Sequence, residues 1–256
     1  MARELVLPAN LGPSRAADWF RTWAGEARAR ELRLVLPEPR ALGATARVLL
    51  ASGLAARKQA GLQTELAGAE GSREVLAGLR AVGDLRRARE QADERARELE
   101  RELEGVAPSP LRMVRFVFEE LGANVVQHSA AAETGFGYLQ ALPAAQGLEL
   151  AFADAGVGFL ASLQRNPELA GRIEDEGEAL QLALGKGVSG TSAPRRNMGI
   201  GLGLLQDFAD RLDGELWIAS GAALLRRRTT GGVRTSTVHV IAPWSGSWIC
   251  LQARLA

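Results

Sequence analysis

The segment LRMVRFVFEELGANVVQHSA, residues 111–130, carries polar side chains that could bind a metal and move a proton. Its apolar residues recur every three or four positions, which predicts an amphipathic helix. On that helix Glu120, Asn124 and His128 form a polar stripe beside the buried face. The Asn124 carbonyl oxygen could bind Mg²⁺, and Glu120 could orient or deprotonate a nucleophile. The alternative is an ordinary polar edge of a helix.

A second candidate for chemistry is an aspartate followed by two glycines. The strand-like segment LELAFAD ends on Asp154, and Gly156 and Gly158 come next. An aspartate in this place can accept a hydrogen bond from an amino group at the bottom of a pocket. The glycines let the backbone pass close beneath a flat ring. An Asx turn that closes the strand is the alternative.

A third candidate is the glycine-rich start of the helix-like segment GIGLGLLQDFADRLDG, which contains Gly199, Gly201 and Gly203. Glycine allows a ligand to approach the backbone closely. The start of a helix presents unpaired N–H groups and the positive end of the helix dipole. Phosphate is therefore the expected ligand, and a turn without a ligand is the alternative.

The sequence between Phe159 and Met198 predicts one short helix in an otherwise irregular stretch. Irregular segments of this length inside a domain are usually functional or mobile, so we expect a lid that closes over a ligand. Lys186, Arg195 and Arg196 could then contact phosphate oxygens. Solvated loop charges are the alternative.

The segments that must position these residues fall into three parts. Residues 1–83 alternate strand-like and helix-like segments in the order βαβαβα, which predicts a small sheet covered by helices. Residues 84–106 are mostly charged, with apolar positions every seven residues, and we expect a solvated linker helix. A short dimer seam is the alternative for that helix. The many strands after residue 107 favour a mixed sheet layered on helices, so the expected domains are 1–83 and 107–256.

The three candidate motifs, in this order, resemble those of the GHKL superfamily of ATP-binding domains. They are E-x-x-x-N on a helix, D-x-G-x-G after a strand and G-x-G-x-G at a helix start. The superfamily includes gyrase-type ATPases, the catalytic domains of histidine kinases and anti-sigma-factor serine kinases. The resemblance covers residues 107–256 and implies an α+β two-layer sandwich that binds ATP and Mg²⁺. The ending PWSGSWICLQARL is also similar, with Gly246-Ser247 where members often have Gly-Thr.

The resemblance also implies roles for individual residues. Asp154 would read the adenine amino group, Glu120 would be the general base, and Asn124 would hold Mg²⁺. Taken together, the candidate nucleotide-binding residues are Asn124, Asp154, Gly156, Gly158, Lys186, Gly199, Gly201, Gly203, Leu204 and Ser247. Within this set, the amides around Gly199, Gly201 and Gly203 would hold phosphate.

Residues 1–83 are similar to STAS domains, the fold of the anti-sigma-factor antagonists that partner these kinases. The similarity rests on the order of elements and on the helix LGATARVLLASGLAARKQAG. STAS antagonists usually carry Asp-Ser just before that helix, whereas this chain has Leu42-Gly43, and Thr45 is not a clear substitute. We therefore expect a degenerate STAS-like α/β domain used for docking. A generic α/β sensor is the alternative.

Composition excludes several other classes of function. The chain has 31 basic and 30 acidic residues, so we expect no nucleic-acid and no membrane partner. The single cysteine, Cys250, excludes an internal disulfide and is expected in a terminal strand as a small hydrophobic residue. With two histidines, a histidine-based zinc site is not expected. No run of about 18 uncharged apolar residues occurs, so we expect a cytoplasmic protein.

Within the superfamily, the sequence favours the anti-sigma-factor kinases. The helix predicted over 84–106 has no acceptor histidine of the kind that a self-phosphorylating histidine kinase needs. The motif ELGANVVQHS is similar to the ELxxNxxxH form of anti-sigma-factor kinases. We expect an ATP-dependent serine/threonine kinase that acts on a protein partner of STAS or sigma-regulatory type. An ATPase switch and a non-catalytic ATP-sensing scaffold are the alternatives, and a homodimer is compatible with each.

Overall fold

The computed structural model describes residues 3–69, 71–77, 79–103, 108–142, 147–185, 188 and 201–255. The first part of the chain alternates strands and helices: β1 (Arg3–Val6), α1 (Ala16–Glu26), β2 (Glu31–Leu36), α2 (Ala44–Gln59), β3 (Gln63–Gly68) and α3 (Ser72–Ala77). The three strands form a parallel sheet in the order β1-β2-β3. Leu32, Leu34 and Leu36 of β2 are buried toward the helices, so the predicted sheet covered by helices is confirmed.

The segment SREVLAGLRAVG, residues 72–83, predicts one helix, but α3 ends at Ala77. The Val82 amide donates a hydrogen bond to the Gly135 carbonyl at 2.8 Å. The Val82 side chain is buried in the core formed by the second part of the chain, residues 84–255. Residue 82 therefore binds the second part instead of continuing the helix.

Helix α4 (Leu85–Glu102) packs along α5 (Pro108–His128). It begins at Asp84, whose carboxylate accepts a hydrogen bond from the Arg87 amide at 2.9 Å. The buried stripe of α4 consists of Ala88, Ala92, Ala96 and Leu99. Arg89 also forms an ion pair with Glu119 of α5 at 2.8 Å. The helix is thus not a solvated linker, and its stripe packs within the chain rather than in a dimer seam.

The second part of the chain also contains β4 (Phe136–Leu142), β5 (Gly147–Asp154), α6 (Gly158–Leu163), α7 (Glu176–Ala183), α8 (Gly201–Arg211), β6 (Glu215–Thr230) and β7 (Val233–Arg254). The four strands form an antiparallel sheet in the order β4-β5-β7-β6. A mixed α/β fold with one parallel and one antiparallel sheet agrees with the predicted fold class at that level, but the sheet after residue 107 is antiparallel rather than the mixed sheet predicted. Strand β4 and helix α6 are additions to the prediction. The segments TSTVHVIA and SWICLQARL, which predict two separate strands, both fall within β7 apart from Leu255.

Helix α5 begins at Pro108, three residues before the predicted start. Proline suits the first turn of a helix, where the N–H groups have no partner within the helix. No helix in the described part of the chain combines the length and the hydropathy that a bilayer crossing requires.

The antiparallel sheet is covered on both faces. Leu148, Leu150 and Phe152 of β5 belong to the core that includes α5 and α8. The intervening Ala151 and Ala153 pack against α1 and α2, so every residue of β5 is buried. Cys250 is buried on this second face, as predicted for a small hydrophobic residue. Helices α1 and α2 also cover the parallel sheet, so the described residues form four layers. A two-layer sandwich describes only the second part of the chain.

Strands β6 and β7 extend beyond the ends of β4 and β5 as a two-stranded hairpin. This hairpin bends at Gly221, where φ is +51°. After the bend the hairpin returns along the start of β6, and the Thr229 amide donates to the Gly214 carbonyl at 3.0 Å. Arg227 forms an ion pair with Asp210 of α8 at 2.8 Å. The hairpin is thereby fixed to the end of α8.

A buried carboxylate joins the first part of the chain to the antiparallel sheet. Glu149 of β5 accepts hydrogen bonds from the Thr45 amide at 2.8 Å and the Thr45 hydroxyl at 2.7 Å, at the start of α2. Gln252 of β7 donates to the other carboxylate oxygen at 3.0 Å. Glu149 is 6 % exposed and Thr45 is fully buried. The start of α2 is therefore satisfied by a residue of the sheet.

Replacing Glu149 with alanine should lower the free energy of unfolding by about 3 kcal/mol, because the buried donors of Thr45 and the half-buried amide of Gln252 lose their acceptor. Urea denaturation of the full chain, followed by circular dichroism, measures this change. Glu90→Ala is the control, because that side chain is 60 % exposed in an ion pair with Arg86. The control should change stability by less than about 0.5 kcal/mol. A Glu149→Ala variant as stable as the control would contradict the assignment.

Candidate functional site

Asp154 is the last residue of β5 and lies at the end of the antiparallel sheet. Its carboxylate accepts a hydrogen bond from the Gly156 amide at 2.8 Å and another from the Ser247 hydroxyl of β7. The residue is 3 % exposed. Burial raises the pKa of Asp154, and the hydrogen bonds from Ser247 and Gly156 offset only part of that rise. A buried carboxylate held in this way is a preorganised hydrogen-bond acceptor.

A bulge in β7 brings Ser247 to Asp154. Between Trp244 and Ser247 the strand contains two extra residues relative to β6. One of them, Gly246, has φ of +95°, and a Cβ at this position would overlap the Asp154 carbonyl oxygen. Only glycine fits there without strain. The Gly246-Ser247 pair singled out from the sequence therefore lies directly at Asp154.

The turn after Asp154 contacts the end of α5. The Val157 amide donates to the Ser129 carbonyl at 2.9 Å, immediately after the last residue of that helix. A Cβ on Gly156 would overlap the same carbonyl oxygen, so glycine is required for this approach. The Ala155 amide donates to the Thr134 hydroxyl at 2.9 Å. These bonds place the D-x-G-x-G turn against the C-terminal end of the helix that carries Glu120 and Asn124.

The predicted polar stripe of α5 lies on one side of the helix, half-buried. Glu120, Asn124 and His128 are all of intermediate exposure, while the neighbouring Leu121 and Val125 are buried. Burial raises the pKa of Glu120, and the charge of the adjacent Glu119 raises it further. Burial lowers the pKa of His128, which favours the neutral imidazole. The stripe can therefore supply a carboxylate with raised proton affinity one turn before a carboxamide.

The glycine-rich motif is described from Gly201, the first residue of α8. Gly203 is buried and Leu204 is half-buried in this helix, which packs against α5 and against β6 and β7. Gly199, Lys186, Arg195 and Arg196 lie outside the described residues, as does most of the second half of the predicted lid. The described part of that lid contains α6 as well as the predicted short helix, which is α7.

Two polar residues that connect to Asp154 through Ser247 were not among the predicted site residues. Ser220 of β6 pairs with Ser247, and its hydroxyl accepts a hydrogen bond from the Phe159 amide at 2.8 Å. The same hydroxyl donates to Glu176 of α7 at 3.4 Å. Burial raises the pKa of Glu176. Alternation along LWIAS could have placed Ser220 on the face of Ile218, but no local pattern marks Glu176.

The donor set is suited to a metal that arrives with phosphate. The described residues contain no group of three or more His, Cys, Asp or Glu side chains that could hold a metal ion by themselves. Mg²⁺ commonly keeps several waters and takes few protein ligands together with substrate phosphates. The single carboxamide of Asn124 on the half-buried stripe of α5 fits that mode of binding.

The structure thus brings together Asp154, Gly156, Ser247 and the end of α5. No protein-family model matches this chain, and no curated protein or solved structure matches it. The GHKL and STAS assignments stay predictions from the resemblance, and the boundaries of the domains stay predictions from the sequence pattern.

Proposed function

We propose that the chain is an Mg²⁺-ATP-binding regulatory protein, with a GHKL-type domain after residue 107 and a STAS-like module before residue 84. The observation that carries the proposal is the buried Asp154 carboxylate, held by Ser247 across β5 and β7 and next to the end of α5. A fixed carboxylate in a desolvated place selects a ligand that donates a hydrogen bond. The adenine amino group is such a donor, and Ser247 would keep the carboxylate oriented toward it.

The phosphate side of the proposed site lies along α5 and the start of α8. The first amides of α8, around Gly201 and Gly203, belong to the positive end of a helix dipole and suit an anion. Asn124 would hold Mg²⁺, which when bound neutralises negative charge on the phosphates. Glu120 precedes Asn124 by one helical turn, and its raised pKa suits a group that accepts a proton.

We infer that the activity is transfer of phosphate to a serine or threonine of a protein partner, of STAS or sigma-regulatory type. Glu120 would accept the proton of the partner's hydroxyl as that oxygen attacks the γ-phosphorus, the bond from that phosphorus to the β–γ bridging oxygen breaks, and ADP leaves. Thr45 is unsuited to accept the phosphate group, because it is fully buried and its hydroxyl donates a hydrogen bond to Glu149. This supports a phosphate-accepting hydroxyl in another chain, with the STAS-like module used for docking.

An ATPase switch is the second candidate, and one observation favours it. Helices α1 and α2 pack directly on the antiparallel sheet, in which Asp154 ends β5. A conformational change at the bound nucleotide can therefore alter the packing of these helices on the sheet. Glu120 would then activate water instead of a partner's hydroxyl. A non-catalytic ATP sensor would use the same contacts without turnover.

Calorimetric titration with ATP and ADP, with and without Mg²⁺, tests the proposal, and phosphate release is followed on the same sample. Transfer to a partner's serine or threonine supports the kinase, free phosphate supports the ATPase switch, and binding without either supports the sensor. If neither nucleotide binds in the presence of Mg²⁺, the proposed function is wrong.

Asn124→Ala should abolish the part of ATP affinity that depends on Mg²⁺, because the carboxamide is the proposed protein ligand of the ion. We expect at least about a tenfold gain from Mg²⁺ in the wild type and less than about twofold in the variant. Titrations in Mg²⁺ and in EDTA give both values for each protein. An undiminished Mg²⁺ effect in Asn124→Ala would remove Asn124 from the site.

A further inference from the structure

Trp244 of β7 connects the first part of the chain to Asp154. Its indole N–H donates a hydrogen bond to the Asp154 carbonyl oxygen at 3.1 Å. The Phe20 ring of α1 packs against the indole, with ring centroids 5.3 Å apart. Trp244 is 3 % exposed and Phe20 is fully buried. A continuous contact therefore runs from α1, through the indole, to the backbone of Asp154.

The bulge in β7 lets one strand hold Asp154 at two atoms. Ser247, after the bulge, binds the carboxylate, and Trp244, before the bulge, binds the backbone carbonyl. The strand passes so close at Gly246 that a Cβ there would overlap that carbonyl oxygen. The side chain and the backbone of Asp154 are thus fixed by different residues.

We propose that Trp244 is a positioning residue for Asp154, and that Phe20, through its contact with Trp244, couples the N-terminal module (residues 1–83) to the part of the site that binds adenine. This rests on the proposed function. Trp244 acts through Asp154 and does not touch the nucleotide. Hydrogen bonds weaken steeply as distance and angle depart from their optimum. A shift of the Asp154 backbone therefore costs affinity for a ligand whose amino group the carboxylate accepts. Release of α1 from the sheet has the same effect, since it removes the ring that holds the indole.

The chain offers a matched control for this proposal in Trp248. Its ring also packs on Phe20, with centroids 5.8 Å apart, and it is fully buried. Among the residues that the structure describes, its indole N–H has no hydrogen-bond partner. Trp244→Phe and Trp248→Phe therefore make the same chemical change in one aromatic cluster, but only the first removes a bond to Asp154.

The test is calorimetric titration of both variants and the wild type with ADP and with IDP, which lacks the amino group, all in the presence of Mg²⁺. We expect Trp244→Phe to weaken ADP binding about tenfold and IDP binding less than about twofold. Trp248→Phe should change either affinity by less than about twofold. Phe20→Leu, which keeps the indole N–H of Trp244, should weaken ADP binding about threefold. This variant replaces Trp244→Phe in the test if Trp244→Phe does not fold.

Several results would overturn the inference. Unchanged ADP affinity in Trp244→Phe would do so, as would equal losses in Trp244→Phe and Trp248→Phe. Equal weakening of ADP and IDP would assign Trp244 a merely structural role. If Phe20→Leu is the variant measured, unchanged ADP affinity overturns the link to α1. Wild-type protein that binds neither ADP nor ATP in the presence of Mg²⁺ contradicts the proposed function itself, and this titration precedes the others.

Discussion

Asp154→Asn is expected to weaken ADP binding about a hundredfold or more. The substitution keeps the size of the side chain but replaces an acceptor oxygen with a donor amide, which would face the donor amino group of adenine. A hydrogen bond to a charged group contributes roughly 1.5 to 3 kcal/mol, and an unpaired donor in a buried place adds to the loss. Titration with ADP in Mg²⁺ measures the change. Asp18→Asn, at a side chain that is 71 % exposed, is the surface control and should bind as the wild type does.

Loss of folding would not account for that result. Burial disfavours the ionised form of Asp154, as its raised pKa indicates, so a neutral side chain of the same shape should be tolerated. The Gly156 amide can still donate to the asparagine oxygen, and the Ser247 hydroxyl can rotate to accept. In the wild type, ADP affinity should fall as pH drops through the raised pKa of Asp154, because the protonated acid is a weaker acceptor. An Asp154→Asn variant that binds ADP normally would exclude Asp154 as the residue that reads adenine.

Residue periodicity was sufficient to predict most elements, and it failed where packing between distant segments decides the structure. Strand β4 contains Gly137, which weakens the strand pattern of FGYLQAL. In the fold that glycine is needed, because a Cβ would overlap the ring of Phe152. This ring packs against the Phe118 ring, with centroids 4.6 Å apart. The local sequence shows the weak strand residue but not the ring that requires it.

The alanine stripe of α4 illustrates the same point. Alanines in a charged helix suggest a weak apolar face, which favoured a solvated linker. A Cβ on Gly122 of α5 would lie 2.9 Å from the Ala88 Cβ, so small residues on both helices allow close approach. The favourable packing depends on the pair of helices, and neither helix predicts it alone.

At the candidate site, the residues found from the sequence are those with a local pattern. Asp154 ends an apolar strand before two glycines, and Ser247 follows Gly246 before the last apolar segment. Ser220 and Trp244 come to Asp154 or its neighbours through the pairing of β6 with β7 and through the bulge, and Glu176 comes there through the packing of α7 on β6. Register, bulges and helix packing depend on contacts between distant segments, so spacing alone could not assign these residues to the site.

Glu120→Gln is expected to lower turnover by about a hundredfold to ten-thousandfold, whether phosphate goes to a partner or to water. The glutamine keeps the size and polarity of the side chain but cannot accept the proton. ATP binding should change by less than about threefold, because the proposed contacts to adenine and Mg²⁺ belong to other residues. Phosphate release and transfer to the partner, measured at saturating ATP, give the turnover. Activity that persists in Glu120→Gln would exclude this residue as the base.

Glu119→Gln is the matched control, because Glu119 is the neighbouring carboxylate and pairs with Arg89 on α4. Its charge adds to the effect of burial in raising the pKa of Glu120. The base acts only when ionised, so turnover in the wild type should fall as pH drops through that raised pKa. Removing the Glu119 charge lowers the pKa of Glu120, so Glu119→Gln should keep its maximal rate while the acidic limb of its pH profile moves to lower pH. A limb that moves to higher pH, or stays in place, would mean that a group other than Glu120 controls the rate.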